Sequence, residues 1–239
     1  MRPSVLFSYM LDSAWKHVKN TGFSYSTLLA DGKLWAASKF LIVFNTFPKW
    51  NDEVIIDTWG KAVDRFYAMR EFVIYSKKKE KLASATSSWL IIDRNRNRPQ
   101  KMDRLWAEFP FQPGVAELDV EFEKLPALST DKIQSRYVVR FSDIDINKHA
   151  TASSYMKWIL DSFPAEVLEN KTLKSFEINF MAEAQLDDKI SVTMEADGES
   201  CLCNIKRERD SKEMCRERVA WNDLCTDIYL YTRHDGDGA

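Results

Sequence analysis

The stretch Asp143–His149 places three side chains with hydrogen-bonding and proton-transfer chemistry close together. Polar and apolar residues alternate in it as far as Asn147, and side chains two positions apart share one face of an extended segment. Asp145, Asn147 and His149 are therefore predicted to converge on one side, while the two isoleucines between them face the core. A carboxylate, an amide and an imidazole in that arrangement can orient a carbonyl group and transfer a proton.

This stretch admits two other interpretations. Its opening resembles a calcium-binding loop, but such a loop needs glycine at its sixth position and glutamate at its twelfth. Lys148 and Ser154 occupy those positions, so calcium binding is rejected and no metal site is predicted. A turn with satisfied polar side chains is the structural alternative, because Asp and Asn favour turns. The stretch taken alone leaves that alternative open.

Composition sets broad limits on the function. The chain has 239 residues, of which 45% are apolar, and this suits a soluble globular protein with a sizeable core. Net charge is -2, from 34 basic and 36 acidic residues, so the overall charge does not favour nucleic-acid binding. No apolar run approaches the roughly 20 residues that span a bilayer, and no signal-peptide core opens the chain. Four cysteines match no zinc or disulfide spacing and are expected to be reduced thiols of an intracellular protein: Cys201, Cys203, Cys215 and Cys225.

The chain contains an internal repeat. Two phenylalanines, a polar pair and two branched apolar residues recur at an offset of 136 residues, as expected of a duplicated unit. The first copy consists of Phe40, Phe44, Asn51, Asp52, Val54 and Ile56, and the second of Phe176, Phe180, Asp187, Asp188, Ile190 and Val192.

Each copy predicts one helix followed by long strands. Apolar residues at four-residue steps predict the helices, and these are Leu6, Met10, Ala14 and Val18 in the first copy and Tyr155, Ile159 and Phe163 in the second. In the first copy, extended segments follow at 39–47, 53–60, 70–76 and 81–92. One helix followed by several antiparallel strands favours a helix wrapped by a curved sheet, so the predicted fold is an α+β tandem (double) hotdog.

The predicted domains are an N-terminal hotdog over 1–98, a linker over 99–131, a C-terminal hotdog over 132–232 and a frayed tail over 233–239. The linker is rich in proline and acidic residues, which favours little regular structure. An extended segment at 136–146 precedes the second helix, but nothing equivalent precedes Ser4. We therefore expect the N-terminal copy to lack its first strand, through truncation or a misplaced start.

A family resemblance rests on two segments of the second half. Residues 141–149, with Tyr155 and Trp158 after them, resemble the acyl-acyl-carrier-protein thioesterase pattern N-D-L-D-V-N-x-H-V-N-N-x-x-Y-x-x-W. Residues 176–184 resemble the family's next strand, which ends in R-R-E-C, and the spacing from His149 to Glu183 agrees with the family's spacing from its histidine to its glutamate. Trp35 and the segments 47–52, 58–59 and 83–89 resemble the family's N-terminal hotdog, so the resemblance covers nearly the whole chain.

The resemblance implies that the catalytic residues are Asp145, Asn147, His149 and Glu183. The implied reaction is hydrolysis of fatty acyl-acyl-carrier protein to free fatty acid and holo carrier protein. Ala184 stands where the family has cysteine, so a covalent route through that position is excluded and direct attack by water, activated by Glu183, is preferred. The roles of the other three stay open. Asn147 would donate to the carbonyl or hold the water, His149 would polarise the carbonyl or shuttle the proton, and Asp145 would orient His149 or bind the water.

The resemblance also implies an acyl-binding tube in the N-terminal hotdog. The candidate lining residues are Phe7, Met10, Leu11, Trp35, Phe40, Ile42 and Phe44. Core packing is the alternative for each of them.

The implied partner is an acyl carrier protein with a phosphopantetheine-linked acyl chain. Its docking is predicted on a basic segment consisting of Arg94, Arg96, Arg98 and Lys101, with Lys148 and Lys157 near the site.

No cofactor, nucleic-acid partner or membrane span is predicted. A monomer and a homodimer are both compatible with the sequence, and so is a cytoplasmic location, or a plastid location for a truncated plant-type protein. The rival functions are acyl-coenzyme A hydrolysis and non-catalytic acyl binding.

Overall fold

The computed structural model describes residues 2–102, 107–109, 111–113, 116–118 and 120–222. The tail predicted over 233–239, the predicted end of the second domain and Cys225 lie outside the described residues. Across the part that is described, no helix is both long and apolar enough to cross a bilayer.

The N-terminal half begins with its longest helix. Its elements are α1 (Pro3–Val18), α2 (Tyr25–Ala30), β1 (Lys33–Phe44), β2 (Val54–Asp64), β3 (Tyr67–Ser76), β4 (Lys81–Asp93) and the short β5 (Arg98–Pro99). Proline suits the first turn of α1, because its missing N–H would have no helical acceptor there. The four residues that predicted α1 are all buried, so their spacing identified the core-facing stripe.

The C-terminal half repeats this order with a strand added at its start. Its elements are β6 (Ile133–Val138), a 3-10 turn (Phe141–Asp143), α3 (Ala152–Leu160), α4 (Ala165–Asn170), β7 (Leu173–Phe180), β8 (Lys189–Asp197), β9 (Ser200–Arg207) and β10 (Lys212–Trp221). Thr151 caps α3 by accepting a hydrogen bond from the Ser154 N–H. The helix ends at Leu160, earlier than predicted, and Phe163 is buried beyond its end. The extended segment predicted over 136–146 is strand only as far as Val138.

One continuous antiparallel sheet joins the two halves. Its strand order is β2-β3-β4-β1-β7-β10-β9-β8-β6, with β5 paired to β4. The halves meet where β1 pairs with β7, and there Leu41 lies opposite Glu177. These two residues are related by the repeat offset of 136, so the junction lies on the axis of the internal duplication. The predicted α+β double hotdog is therefore confirmed.

The two outer strands of the sheet differ between the halves. In the C-terminal half, β6 covers β8 through pairs such as Tyr137 with Ile190. In the N-terminal half, β2 is the counterpart of β8 and pairs with β3 alone among the described strands. Helix α1 begins at Pro3, and no strand precedes it in the described residues. Within the described residues, no strand of the N-terminal half corresponds to β6, as the sequence predicted.

The connector between the halves is attached to the sheet by polar contacts. Glu71 on β3 is fully buried, and its Oε2 accepts hydrogen bonds from the backbone N–H groups of Glu117 at 3.1 Å and Leu118 at 3.3 Å. Further along, the Leu125 N–H donates to Asn179 Oδ1 at 3.0 Å. A buried carboxylate needs such donors, so these contacts fix the path of the connector.

Aromatic residues of the connector also pack on β2. A Cβ atom at Gly60 would lie 2.8 Å from ring carbons of both Phe109 and Phe111. Only the absence of a side chain at Gly60 lets both rings approach the strand so closely. The connector thereby becomes part of the wall of the N-terminal half.

Candidate active site

The predicted extended stretch is a tight turn. The Asp145 carbonyl accepts from the Lys148 N–H at 3.0 Å, and the Asp145 N–H donates to the His149 carbonyl at 2.8 Å. Lys148 has φ +65°, which reverses the chain direction. Ile144 packs against the core, but Ile146 is 73% exposed, so the prediction that it faces the core is wrong. The turn that the sequence left as an alternative is therefore the observed conformation.

Asp145 holds this turn together through its carboxylate. Its Oδ1 accepts from the backbone N–H of Asn147 at 2.8 Å and of His149 at 3.2 Å. Its Oδ2 accepts from Asn147 Nδ2 at 3.2 Å. The carboxylate thus contacts the backbone of His149 rather than its ring. Asp145 positions both neighbours through the turn, as aspartates in such turns do.

A short backbone bridge brings the turn to Glu183. The Ala150 N–H donates to the Ala184 carbonyl at 2.8 Å, and His149 forms an isolated β-bridge with Gln185. This pairing places His149 Nε2 at 3.1 Å from Glu183 Oε2. The side chain of His149 is 26% exposed and that of Glu183 is 54% exposed. Glu183 is therefore accessible to water. The surrounding protein does not by itself exclude water from its carboxylate.

Position 184 faces away from the site. The Ala184 side chain is fully buried in the core, while its N–H donates to the Tyr155 hydroxyl at 2.9 Å. Burial raises the pKa of Tyr155 well above its usual value, so this hydroxyl stays protonated.

Three described cysteines are free and buried, namely Cys201, Cys203 and Cys215. Among the described residues, no cysteine lines the cavity that holds Glu183.

The side-chain amide of Asn147 is held at both ends. Its Nδ2 donates to Asp145, and its Oδ1 accepts from the Tyr25 hydroxyl at 2.9 Å. Tyr25 belongs to α2 of the N-terminal half, 122 residues away in sequence. The second Nδ2 hydrogen has no acceptor among the described residues and is available to a ligand.

All four predicted catalytic residues line one cavity of about 680 Å³. The cavity extends from them into the N-terminal half, where α1, β1 and the connector form its wall. Apolar side chains dominate that part, including Leu11, Trp15, Val18, Leu34, Phe109 and Phe111. Such a cavity, apolar with a polar group at one end, is typical of a site for an apolar molecule with one reactive group.

Two of the seven predicted acyl-binding residues line this cavity, namely Leu11 and Trp35. The other five lie in the main core cluster and do not line it: Phe7, Met10, Phe40, Ile42 and Phe44. Their exposed fractions are 0% to 5%, so for them packing replaces the predicted lining role. Alternating positions on a strand and the inner stripe of a helix look alike in sequence whether they meet a core or a cavity.

A buried arginine also lines the N-terminal part of the cavity. Arg70 on β3 is 8% exposed and lines the cavity, and its Nη1 contacts His17 Nδ1 at 3.1 Å and Thr58 Oγ1 at 3.0 Å. Burial lowers the pKa of Arg70 to about 10, and burial together with the charge of Arg70 lowers the pKa of His17. His17 is therefore neutral and accepts the hydrogen bond.

The predicted docking residues belong to segments that contribute lining residues to the cavity. The basic segment is exposed and follows β4, where Asn97 within it lines the cavity. Lys148 is exposed between Asn147 and His149, both of which line the cavity. Lys157 lies on α3 and is half-exposed, with its Nζ 3.5 Å from Asp143 Oδ1.

Three residues of the site were not predicted from the sequence. Tyr25 carries no motif, and nothing local indicates its contact with Asn147. Phe109 and Phe111 lie in a segment interpreted as linker, although two phenylalanines among prolines were a signal of packing. Aromatic side chains in a connector seldom remain in solvent.

Two domain models of one protein family match most of the chain. The acyl-ACP thioesterase N-terminal domain matches residues 1–108, and the acyl-ACP thioesterase C-terminal domain matches residues 127–223. A chloroplastic acyl-acyl-carrier-protein hydrolase of Cuphea viscosissima is 27% identical over 234 residues, covering 90% of this chain and 56% of the relative. The chloroplastic oleoyl-acyl carrier protein thioesterase 2 of Arabidopsis thaliana is 29% identical over 192 residues, covering 73% and 52%. The chain thus spans about half the length of these curated relatives.

Solved structures share the fold along nearly the full chain. An acyl-ACP thioesterase from Bacteroides thetaiotaomicron superposes with a TM-score of 0.83 at 25% identity, covering 92% of this chain and 90% of that one. The 12:0-ACP thioesterase from Umbellularia californica superposes with a TM-score of 0.80 at 21% identity, covering 91% and 88%. At the latter identity the likeness concerns the fold alone.

Proposed function

Because the chain belongs to the acyl-ACP thioesterase family, we propose that it hydrolyses fatty acyl thioesters of acyl carrier protein to free fatty acid and the carrier thiol. One observation supports this most strongly. His149 and Glu183 form a pair at 3.1 Å at the polar end of an apolar cavity large enough for an acyl chain. A non-catalytic acyl-binding protein would have no use for an accessible acid–imidazole pair there.

In the proposed mechanism, Glu183 activates water. Its Oε2 accepts from His149 Nε2, which leaves Oε1 to accept a proton from a water molecule as that water attacks the thioester carbonyl carbon. The tetrahedral intermediate then expels the thiolate as the carbon–sulfur bond breaks. The proton taken by Glu183 passes to the thiolate, directly or through the adjacent imidazole. Atoms and charge balance without any covalent enzyme intermediate.

Asn147 is proposed to stabilise the developing oxyanion. Asn147 lines the cavity, and Asp145 binds one of its two Nδ2 hydrogens, which leaves the other for the thioester carbonyl. A donor whose direction is fixed before the reaction stabilises the transition state without reorganising. Asp145 acts on the reaction through the turn, since its carboxylate contacts backbone N–H groups and the amide of Asn147. It is therefore assigned as a positioning residue.

The carrier protein is the proposed partner, and acyl-coenzyme A is the rival substrate. The basic segment and Lys148 are exposed and adjoin residues that line the cavity, where they would attract an acidic partner. The oligomeric state and a cytoplasmic location both remain predictions, and the curated relatives named above are chloroplastic.

Thiol release from acyl-acyl-carrier protein and from acyl-coenzyme A tests the proposal. We expect release from the carrier-bound substrate, with kcat/KM lowered by about 100-fold or more in Glu183→Gln, because general-base catalysis typically contributes that much. Glu169→Gln removes an exposed carboxylate on α4 and serves as the control with unchanged activity. Full activity of Glu183→Gln would remove Glu183 from the mechanism. Faster turnover of the coenzyme A thioester would favour the rival substrate, and no release from any chain length would favour a binding protein.

A further inference from the structure

A single hydrogen bond links the N-terminal half to the proposed oxyanion donor. The Tyr25 hydroxyl lies 2.9 Å from Asn147 Oδ1, and Tyr25 itself does not line the cavity. The contact therefore cannot be explained by substrate binding at Tyr25. It joins α2, at the start of the duplicated chain, to the catalytic turn of the second copy.

The bond restricts Asn147 to one orientation of its amide. A carboxylate can only accept, so Asp145 requires the nitrogen of the amide on its side. Tyr25 then donates to the oxygen on the other side. Rotating the amide by half a turn would set two acceptors against each other at Asp145, and would lose the tyrosine bond unless its hydroxyl also turned. Donation to Oδ1 also polarises the amide and strengthens its remaining N–H as a donor.

Tyr25 is itself held in place by three neighbouring groups. Ser24 caps α2 by accepting from the Thr27 N–H at 3.3 Å, which fixes Tyr25 at the first helical position. The Trp35 indole donates to the Phe23 carbonyl at 2.9 Å just before that cap. The Trp15 ring packs against the Tyr25 ring with centroids 5.2 Å apart. Both tryptophans line the cavity, so its wall sets the position of the hydroxyl.

We propose that Tyr25 is a positioning residue that acts on thioester hydrolysis through Asn147. This inference rests on the proposed function, because it assigns Tyr25 to the same reaction. Tyr25 keeps the Nδ2 donor of Asn147 directed at the thioester carbonyl, so the N-terminal hotdog contributes to the chemical step as well as to the acyl-binding cavity. Loss of the hydroxyl affects turnover rather than substrate affinity.

Tyr25→Phe tests the proposal, because it removes the hydroxyl and keeps the ring against Trp15. We expect kcat on acyl-acyl-carrier protein to fall roughly tenfold, the size of one hydrogen bond lost from the transition state, with KM changed less than about twofold. Tyr67→Phe is the matched control, since it removes the hydroxyl of another partly exposed tyrosine in the N-terminal half that does not line the cavity. An unchanged kcat, a rise in KM alone, or an equal loss in Tyr67→Phe would overturn the assignment.

A second readout does not depend on activity. The side-chain amide signals of Asn147 in a nitrogen–proton correlation spectrum are assigned by their disappearance in Asn147→Ala. We expect Tyr25→Phe to shift them and to speed their hydrogen exchange, whereas Tyr67→Phe leaves them in place. Unchanged Asn147 signals would refute the restraint even if kcat fell. Perturbed signals in a protein without thioesterase activity would instead show that the restraint exists and that the proposed function is wrong.

Discussion

A buried glutamate in the C-terminal core predicts an unusual dependence of stability on pH. Glu217 on β10 is fully buried, and its Oε1 accepts from the Cys215 thiol at 2.7 Å. Its Oε2 has no hydrogen-bond partner in the described structure. Burial raises the pKa of Glu217 from 4.5 to about 8, because the ionised form loses its hydration in the core. Glu217→Gln replaces the protonated acid with a neutral group of the same shape.

The sign of the effect follows from the two pKa values. Between pH 4.5 and about 8 the unfolded chain has ionised Glu217 while the folded protein still holds the proton. Stability from this group is complete below pH 4.5, falls as pH rises through that window, and levels off above the folded pKa. Each pH unit corresponds to about 1.4 kcal/mol, so the full window amounts to roughly 5 kcal/mol. Glutamine does not titrate and lacks this loss.

Urea denaturation at pH 5, 6, 7 and 8 measures the effect. We expect the free energy of unfolding of Glu217→Gln, relative to the unsubstituted protein, to rise by about 4 kcal/mol from pH 5 to pH 8. Other titrating groups are common to both proteins and cancel in this difference. Glu199→Gln, an exposed carboxylate on the β8–β9 turn, should show no such trend. A difference that stays constant with pH would mean that Glu217 is ionised or hydrated in the folded protein, and would refute the reasoning.

Three further predictions follow from contacts around the sheet and the cavity. Glu71→Ala removes the fully buried carboxylate that accepts from two N–H groups of the connector. It should lower the free energy of unfolding by about 2–4 kcal/mol, measured by urea denaturation. Gly60→Ala drives a methyl group into Phe109 and Phe111, so a loss of about 1–3 kcal/mol is expected, and an unchanged midpoint would mean that the connector moves freely. Reversing the three arginine charges of the basic segment should lower kcat/KM on carrier-bound substrate at low salt and weaken its salt dependence, while activity on a small thioester is kept. Equal salt dependence before and after the reversal would exclude the segment from docking.

The outline of the fold was predictable because its signals are local and are repeated. Four-residue steps identified α1, and the predicted strand at 81–92 differs from β4 by one residue. The offset of 136 residues predicted the duplication, and the pairing of Leu41 with Glu177 at the junction of the halves confirms it. Both copies contain the same pattern, so each supports the interpretation of the other.

The conformation of the catalytic stretch was less predictable. Alternation around Asp145 favoured a strand, yet the same residues also favour a turn, and the turn is observed. A strand and a turn are both compatible with the same seven residues, so their periodicity does not distinguish the two conformations. The hydrogen bond from the Ala150 N–H to the Ala184 carbonyl closes the turn against the segment that follows β7, and periodicity along the chain does not report a contact between residues 34 positions apart.

The double hotdog, the family and the four residues at the polar end of the cavity were predictable from local patterns. Which apolar residues line that cavity, how deeply Glu217 is buried and which residue restrains Asn147 depend on packing between distant segments. Spacing along a strand or helix reports which face a side chain occupies. It does not report what packs against that face, because that depends on residues such as Tyr25 and Asn147 that lie 122 positions apart.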